Sequence, residues 1–131
     1  MMKTLMAIAL LALYSQAGAQ QLDGKAVFAK NCAACHMAAG TGIPGAFPAL
    51  KGNKFVQGDP KAVISTVLKG RGGMPTFAGS LDDASLAQVI SYVRSSWGNT
   101  ATPVTAPDVL AVRSESNAGD VVKKEQPTNV H

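Results

Sequence analysis

Apolar positions along this chain form one continuous run and three periodic stretches, separated by segments rich in glycine, proline and polar residues. The continuous run is Leu5 to Tyr14, preceded by Lys3 and followed by the small residues Ala17-Gly18-Ala19. A basic start, a short apolar centre and a small-residue end are the parts of a secretory signal peptide. The run is about half of the roughly twenty residues needed to cross a bilayer core. Residues 1–19 are therefore expected to be removed near Ala19/Gln20 and the remainder exported. No later run is apolar enough for a stable membrane span.

The periodic stretches read as helices. Asp23 is placed to cap free N–H groups, and Lys25 to Asn31 follow with good helix formers, Val27 and Phe28 being the apolar members. A middle helix is expected from Asp59 or Pro60 to Lys69, with Ala62, Val63, Thr66 and Val67 on one face and Gly70 as its stop. The clearest pattern comes last. Asp82 caps a helix on which Leu86, Val89, Ile90, Val93 and Trp97 recur at helical spacing, ended by Gly98-Asn99. Between these lie two Gly/Pro-punctuated loops, from Ala38 to Asn53 and from Arg71 to Ser80. No stretch alternates with period two, so the expected class is all-α, with three main helices and long loops.

Residues 20–99 are expected to form one domain. Residues 100–131 read as a Pro/Thr/Ala linker, a short helix from Val109 to Arg113, and a polar tail from Ser114 to His131 whose composition favours disorder. A folded unit of about 80 residues is marginal for a self-sufficient core, so a large apolar cofactor would supply missing volume. Lys and Arg outnumber Asp and Glu by 12 to 8. The excess gathers in residues 37–73, where Lys51, Lys54, Lys61, Lys69 and Arg71 face Asp59 alone. Export and the lack of any nucleic-acid motif argue against nucleic acid as the partner. An acidic protein is the better reading, with an ordinary solvated surface as its alternative.

The chain's only two cysteines stand in Cys32-Ala33-Ala34-Cys35-His36. Thiols three positions apart, followed at once by histidine, suit covalent attachment of c-type haem: one thioether from each cysteine, and the histidine beneath the iron. A thioredoxin-like redox pair would follow a strand in a βαβ pattern, and none precedes Cys32. A zinc site would need a fourth ligand, and the only other histidine is the terminal His131. A disulfide across two residues would close a small loop and contribute little.

A His/Met pair is a standard way to hold an electron-transfer haem. Beyond the apolar leader the methionines are Met37 and Met74. Met37 follows His36 directly and cannot reach the opposite side. Met74 lies in Gly72-Gly73-Met74-Pro75, where glycines allow close backbone approach and proline stiffens the loop. A methionine is more often a core thioether, but the loop and the lack of competitors favour Met74 as the sixth ligand.

With these residues in view, the chain resembles small bacterial class I cytochromes c over residues 22–99. The likeness rests on Cys32 to His36, on Phe47-Pro48-Ala49-Leu50, on Met74-Pro75 and on the helix through Tyr92. It implies a fold of three main helices and long loops wrapped around one covalent haem, with Cys32, Cys35, His36, Pro48 and Met74 at the cofactor and His36 and Met74 on the metal. It also implies that the Pro48 carbonyl accepts the Nδ1–H of His36, and that Gly24 and Phe28 cross Val89 and Tyr92. Tyr92 to Asn99 with the following linker is similar to the cytochrome modules of bacterial alcohol and related dehydrogenases. Those subunits carry three haems, whereas this chain has a single attachment motif. The implied role is a periplasmic single-haem electron carrier rather than an enzyme. Its partners would be redox proteins, with a periplasmic dehydrogenase as donor and a terminal oxidase or other cytochrome as acceptor. A bound subunit of such a complex is the alternative, and a haem gas sensor or peroxidase fits less well because Met74 would close the metal.

Overall fold

The computed structural model describes residues 23–125. The leader expected at 1–19 and the last tail residues lie outside that range. Five helices follow in order: α1 (Gly24–Asn31), α2 (Ala33–His36), α3 (Pro60–Lys69), α4 (Asp83–Ser95) and α5 (Ala106–Glu125). Among the described residues there is no strand, only isolated bridges at Ile43–Phe47 and Arg71–Met74, as an all-α class requires.

Each main helix starts where a side chain satisfies its orphan N–H groups. The Asp23 carboxylate accepts from the Lys25 N–H, Asp59 from Lys61 and Asp82 from Ser85. Thr105 and Asp108 cap α5 reciprocally: Asp108 accepts from the Thr105 N–H at 2.8 Å, and the Thr105 hydroxyl accepts from the Asp108 N–H at 3.3 Å. Pro60 occupies the first turn of α3, where its missing N–H costs nothing.

The core forms where α1, α3 and α5 pack around α4. Phe28, Ile64, Leu68, Leu86 and Val109 are almost wholly buried there. α1 crosses α4 so closely at Gly24 that a Cβ would lie 2.2 Å from the Gln88 carbonyl oxygen and 2.9 Å from Tyr92 Cβ. Only glycine fits that crossing. Phe28 sits beside it, 5.5 Å from Tyr92 and 5.2 Å from Trp97 between ring centroids.

Two expectations at the C-terminal end need correction. Trp97 is not on the last core helix: α4 ends at Ser95, and Trp97 lies beyond it with φ 55. That turn swings the indole back onto Phe28 and Tyr92. The helix expected over Val109 to Arg113 runs instead from Ala106 to Glu125, so the disorder expected from Ser114 does not hold up to Glu125. Val109 and Val112 bury the first half of α5. Once that nucleus is fixed, each further residue adds a hydrogen bond at small cost. Asp120 stands four positions before Lys124, and Lys123 and Lys124 occupy the last turn, where cations suit the helix dipole.

Two buried polar side chains tie the loops to this frame. Arg94 donates to the carbonyls of Val56, Gly58 and Thr102 at 2.7, 3.0 and 2.8 Å. Asn99 accepts from the Gly52 N–H at 2.8 Å and donates to the Leu50 and Val93 carbonyls at 3.0 and 2.9 Å.

Candidate functional site

Cys32 ends α1, and its own backbone caps back to Phe28 at 2.9 Å. The chain then turns at once into α2, a single turn bearing Cys35 and His36. Both thiols are free and half-buried. Burial, and then the neighbouring Cys35, push the Cys32 thiol up to about 11. Redox thiols work as thiolates with depressed pKa values, and the shift at Cys32 runs the other way. Nor do three His, Cys, Asp or Glu side chains cluster as a bare metal site among the described residues.

His36 is buried, and its Nδ1 lies 2.9 Å from the Pro48 carbonyl oxygen. A carbonyl can only accept, so Nδ1 carries the proton and donates it. Nε2 then keeps its lone pair free for a metal. The loop that brings Pro48 back is drawn tight by its own backbone. Gly42 donates to the His36 carbonyl at 3.0 Å, and Ile43 and Phe47 exchange bonds of 2.9 and 2.8 Å. At Gly42, with φ 61, a Cβ would sit 2.4 Å from the Phe47 carbonyl oxygen, so no other residue lets the loop close this way. A surface cavity of about 320 Å³ adjoins this loop, lined by Thr41, Phe47, Pro48 and their neighbours. A comparable groove between α3 and α5 is lined by Lys61, Lys69 and Glu115 and holds no histidine, cysteine or methionine.

Met74 stands on the second loop, partly buried against the core. Arg71 and Met74 exchange backbone bonds of 3.2 and 2.9 Å, forming a tight turn directly after α3. Gly70, with φ 74, lets this turn press against α3; a Cβ there would be 2.5 Å from the Met74 carbonyl oxygen. Beyond Met74 the loop is pinned by the Phe77 N–H, which donates to the Val67 carbonyl at 3.1 Å, and by the Thr76 hydroxyl, which donates to Leu68. The structure thus joins His36 to Pro48 directly and puts Met74 on a separate, equally constrained loop.

The residues fit a flat apolar metal complex. They offer one imidazole with its tautomer fixed, two unbonded thiols beside it in α2 and at its start, and one thioether on the second loop. Met37, Ile43, Phe47 and Phe55 are large apolar side chains, each between 38% and 42% exposed, all in the loops after His36. Arg71 lies 6.0 Å from the centre of the Phe55 ring, a cation–π distance. Sequence reasoning missed the roles of Arg94, Asn99 and Arg113. Their partners are distant carbonyls and, for Arg113, a distant carboxylate, which no local pattern reveals.

Residues 19–93 match the family described as cytochrome c oxidase, cbb3-type, subunit III. Similar proteins include the cytochrome c subunit of the quinone alcohol dehydrogenase of Gluconobacter oxydans, 34% identical over 74% of this chain and 23% of that subunit. Cytochrome c-552 of Thermus thermophilus is 33% identical over 88% of both chains. The cbb3-type cytochrome c oxidase subunit CcoP of an Azospirillum species is 39% identical over 57% of this chain and 28% of that subunit. The chain thus spans 22–25% of the length of the dehydrogenase subunits it resembles, and nearly the whole of the cytochrome c-552.

Proposed function

Because this chain belongs to the class I cytochrome c family, we propose that Cys32 and Cys35 carry one covalent haem c. In this reading the protein passes single electrons between redox proteins of the periplasm. The observation that carries the reading is the hydrogen bond from His36 Nδ1–H to the Pro48 carbonyl. It holds the ring in one orientation, leaves Nε2 as the donor, and makes the imidazole a stronger ligand. The Met74 thioether would be the second protein ligand, held by the Arg71–Met74 turn and stiffened by Pro75. Haem c supplies an iron couple that takes up and releases one electron. The chain's own residues fix the two donors, keep water from the core side through Phe28, Leu68 and Phe77, and leave an apolar rim at Phe47 and Phe55. With His36 and Met74 both committed to the iron, no position there would be left for a substrate.

A second reading places the protein as a bound subunit of a dehydrogenase or oxidase complex. It is favoured by the relatives named as such subunits. No helix among the described residues is long and apolar enough to cross a membrane.

The mature protein should stain for haem after denaturing electrophoresis. Its oxidised spectrum should show the weak methionine–iron band at the red end. Met74→Ala should keep the haem stain, lose that band and bind carbon monoxide readily when reduced. A colourless band from cells competent in haem attachment would remove the reading. Equal carbon monoxide binding by wild type and Met74→Ala would remove Met74 as ligand.

A further inference from the structure

α5 reaches back to the loop that carries Met74, and it does so through one side chain. The Arg113 guanidinium donates from Nη1 to the Ala78 carbonyl at 2.6 Å, from Nη2 to the Leu81 carbonyl at 3.0 Å, and from Nε to the Asp83 carboxylate at 2.8 Å. The Arg113 and Asp83 side chains are only 21% and 27% exposed, so the pair is shielded well beyond an ordinary surface ion pair. The two carbonyls lie just downstream of Met74, in the turn that returns the chain to α4, and Asp83 is the first residue of α4.

The upstream side of Met74 is already fixed by the Arg71–Met74 bonds and by α3. Downstream, the loop is held by the Thr76 hydroxyl on Leu68, by the Phe77 N–H on Val67 and the buried Phe77 ring, and then by Arg113. Between Ala78 and Leu81 the turn is otherwise largely exposed and bonds mainly to itself, through Ser80 and Leu81 N–H groups on the Phe77 carbonyl. A segment with few buried apolar contacts opens locally at low cost unless something outside it holds it shut. We propose that Arg113 is a positioning residue for the sixth ligand: it clasps the 78–81 turn to α5 and to the start of α4, and so keeps Met74 from swinging off the metal. The proposal rests on Met74 being that ligand. It gives the first half of α5 a task beyond capping the core. The fork geometry matters, because a lysine ammonium can keep the contact to Asp83 but cannot span two carbonyls and a carboxylate together.

The test compares holoprotein variants by the methionine–iron band and by the rate of carbon monoxide binding to the reduced form. Arg113→Ala should bind carbon monoxide at least tenfold faster than wild type and lose part of the band, with haem still attached. Arg113→Lys should fall between the two. Val109→Ala, which loosens α5 packing and removes none of the Arg113 hydrogen bonds, should leave the rate within about twofold of wild type. Wild-type rates in Arg113→Ala would overturn the proposal. Equal opening in Val109→Ala and Arg113→Ala would overturn it as well, assigning the effect to α5 docking in general. If Arg113→Ala fails to accumulate, Arg113→Lys alone decides, because an unchanged rate there overturns the fork argument. A wild type that already lacks the band and binds carbon monoxide fast would instead remove the Met74 reading, and the clasp with it.

Discussion

Asn99 is the residue on which the loop before α3 depends most. Its one side chain serves the Gly52 N–H and the Leu50 and Val93 carbonyls, and it is 3% exposed. A buried backbone group left without a partner costs about 1–3 kcal/mol. Asn99→Ala should therefore destabilise by about 2–3 kcal/mol, read as a lower denaturant midpoint at unchanged slope. Leu50 stands two residues after Pro48, so the same variant should also loosen the carbonyl that orients His36. A midpoint equal to wild type would mean that water replaces all three bonds without loss. Arg94 works in a similar way on the Val56 and Gly58 carbonyls. Both residues hold loops by polar bonds where an apolar side chain would leave carbonyls unpaired.

At the scale of elements, capping carboxylates mark where helices begin, and they give stability a pH dependence. Hydrogen bonds from the Ser85 side chain and then its backbone, with a smaller contribution from Arg113, hold the Asp82 carboxyl below its ordinary value of 3.8. A depressed carboxylate stabilises the fold above its unfolded pKa, and that contribution is lost as pH falls through the lower folded value. Asp82→Asn keeps a capping oxygen but cannot titrate. Its denaturation midpoint should change less than that of wild type as pH drops below about 4. Parallel curves for the two proteins would show that the cap contributes nothing through its charge. The α1, α3 and α4 starts were legible in the sequence because Asp23, Asp59 and Asp82 accept from N–H groups within three residues of themselves, and Pro60 lacks the N–H that a first turn leaves unpaired. The candidate site was legible for a similar reason, since Cys32, Cys35 and His36 stand within five positions and Met74-Pro75 follows a pair of glycines. The ends were not. Trp97 kept helical spacing, yet its packing on Phe28 and Tyr92 drew it into a turn. The length of α5 depended on Val109 and Val112 finding α3 and α4, which no periodicity within Ser114 to Glu125 announces.

Across the whole molecule the charge is uneven. Lys51, Lys54, Lys61, Lys69 and Arg71 are exposed and fall between His36 and Met74 in the chain. Lys61 is partly engaged by Glu115 of α5 at 3.4 Å, and Arg71 lies by Phe55, leaving Lys51, Lys54 and Lys69 free of such pairing among the described residues. If these cations steer an acidic redox partner, the bimolecular electron-transfer rate should fall steeply with salt, since charges beyond about 10 Å are screened at 0.1 M. Lys69→Glu should lower the association rate and flatten that dependence while leaving the reduction potential nearly unchanged. A rate indifferent to ionic strength would speak for a permanent complex or an apolar docking face around Phe47 and Phe55.

The crossing of α1 and α4 at Gly24 also sets a timetable. Gly24 and Phe28 leave the ribosome, or any export pore entered N-terminus first, well ahead of Gln88 and Tyr92, their packing partners. This is a contact of high order, and loop-closure entropy opposes it until the last core helix exists. Cys32 and Cys35 immediately follow the early half of that crossing. Until α4 arrives they remain on an open chain, and its docking then closes the frame around them.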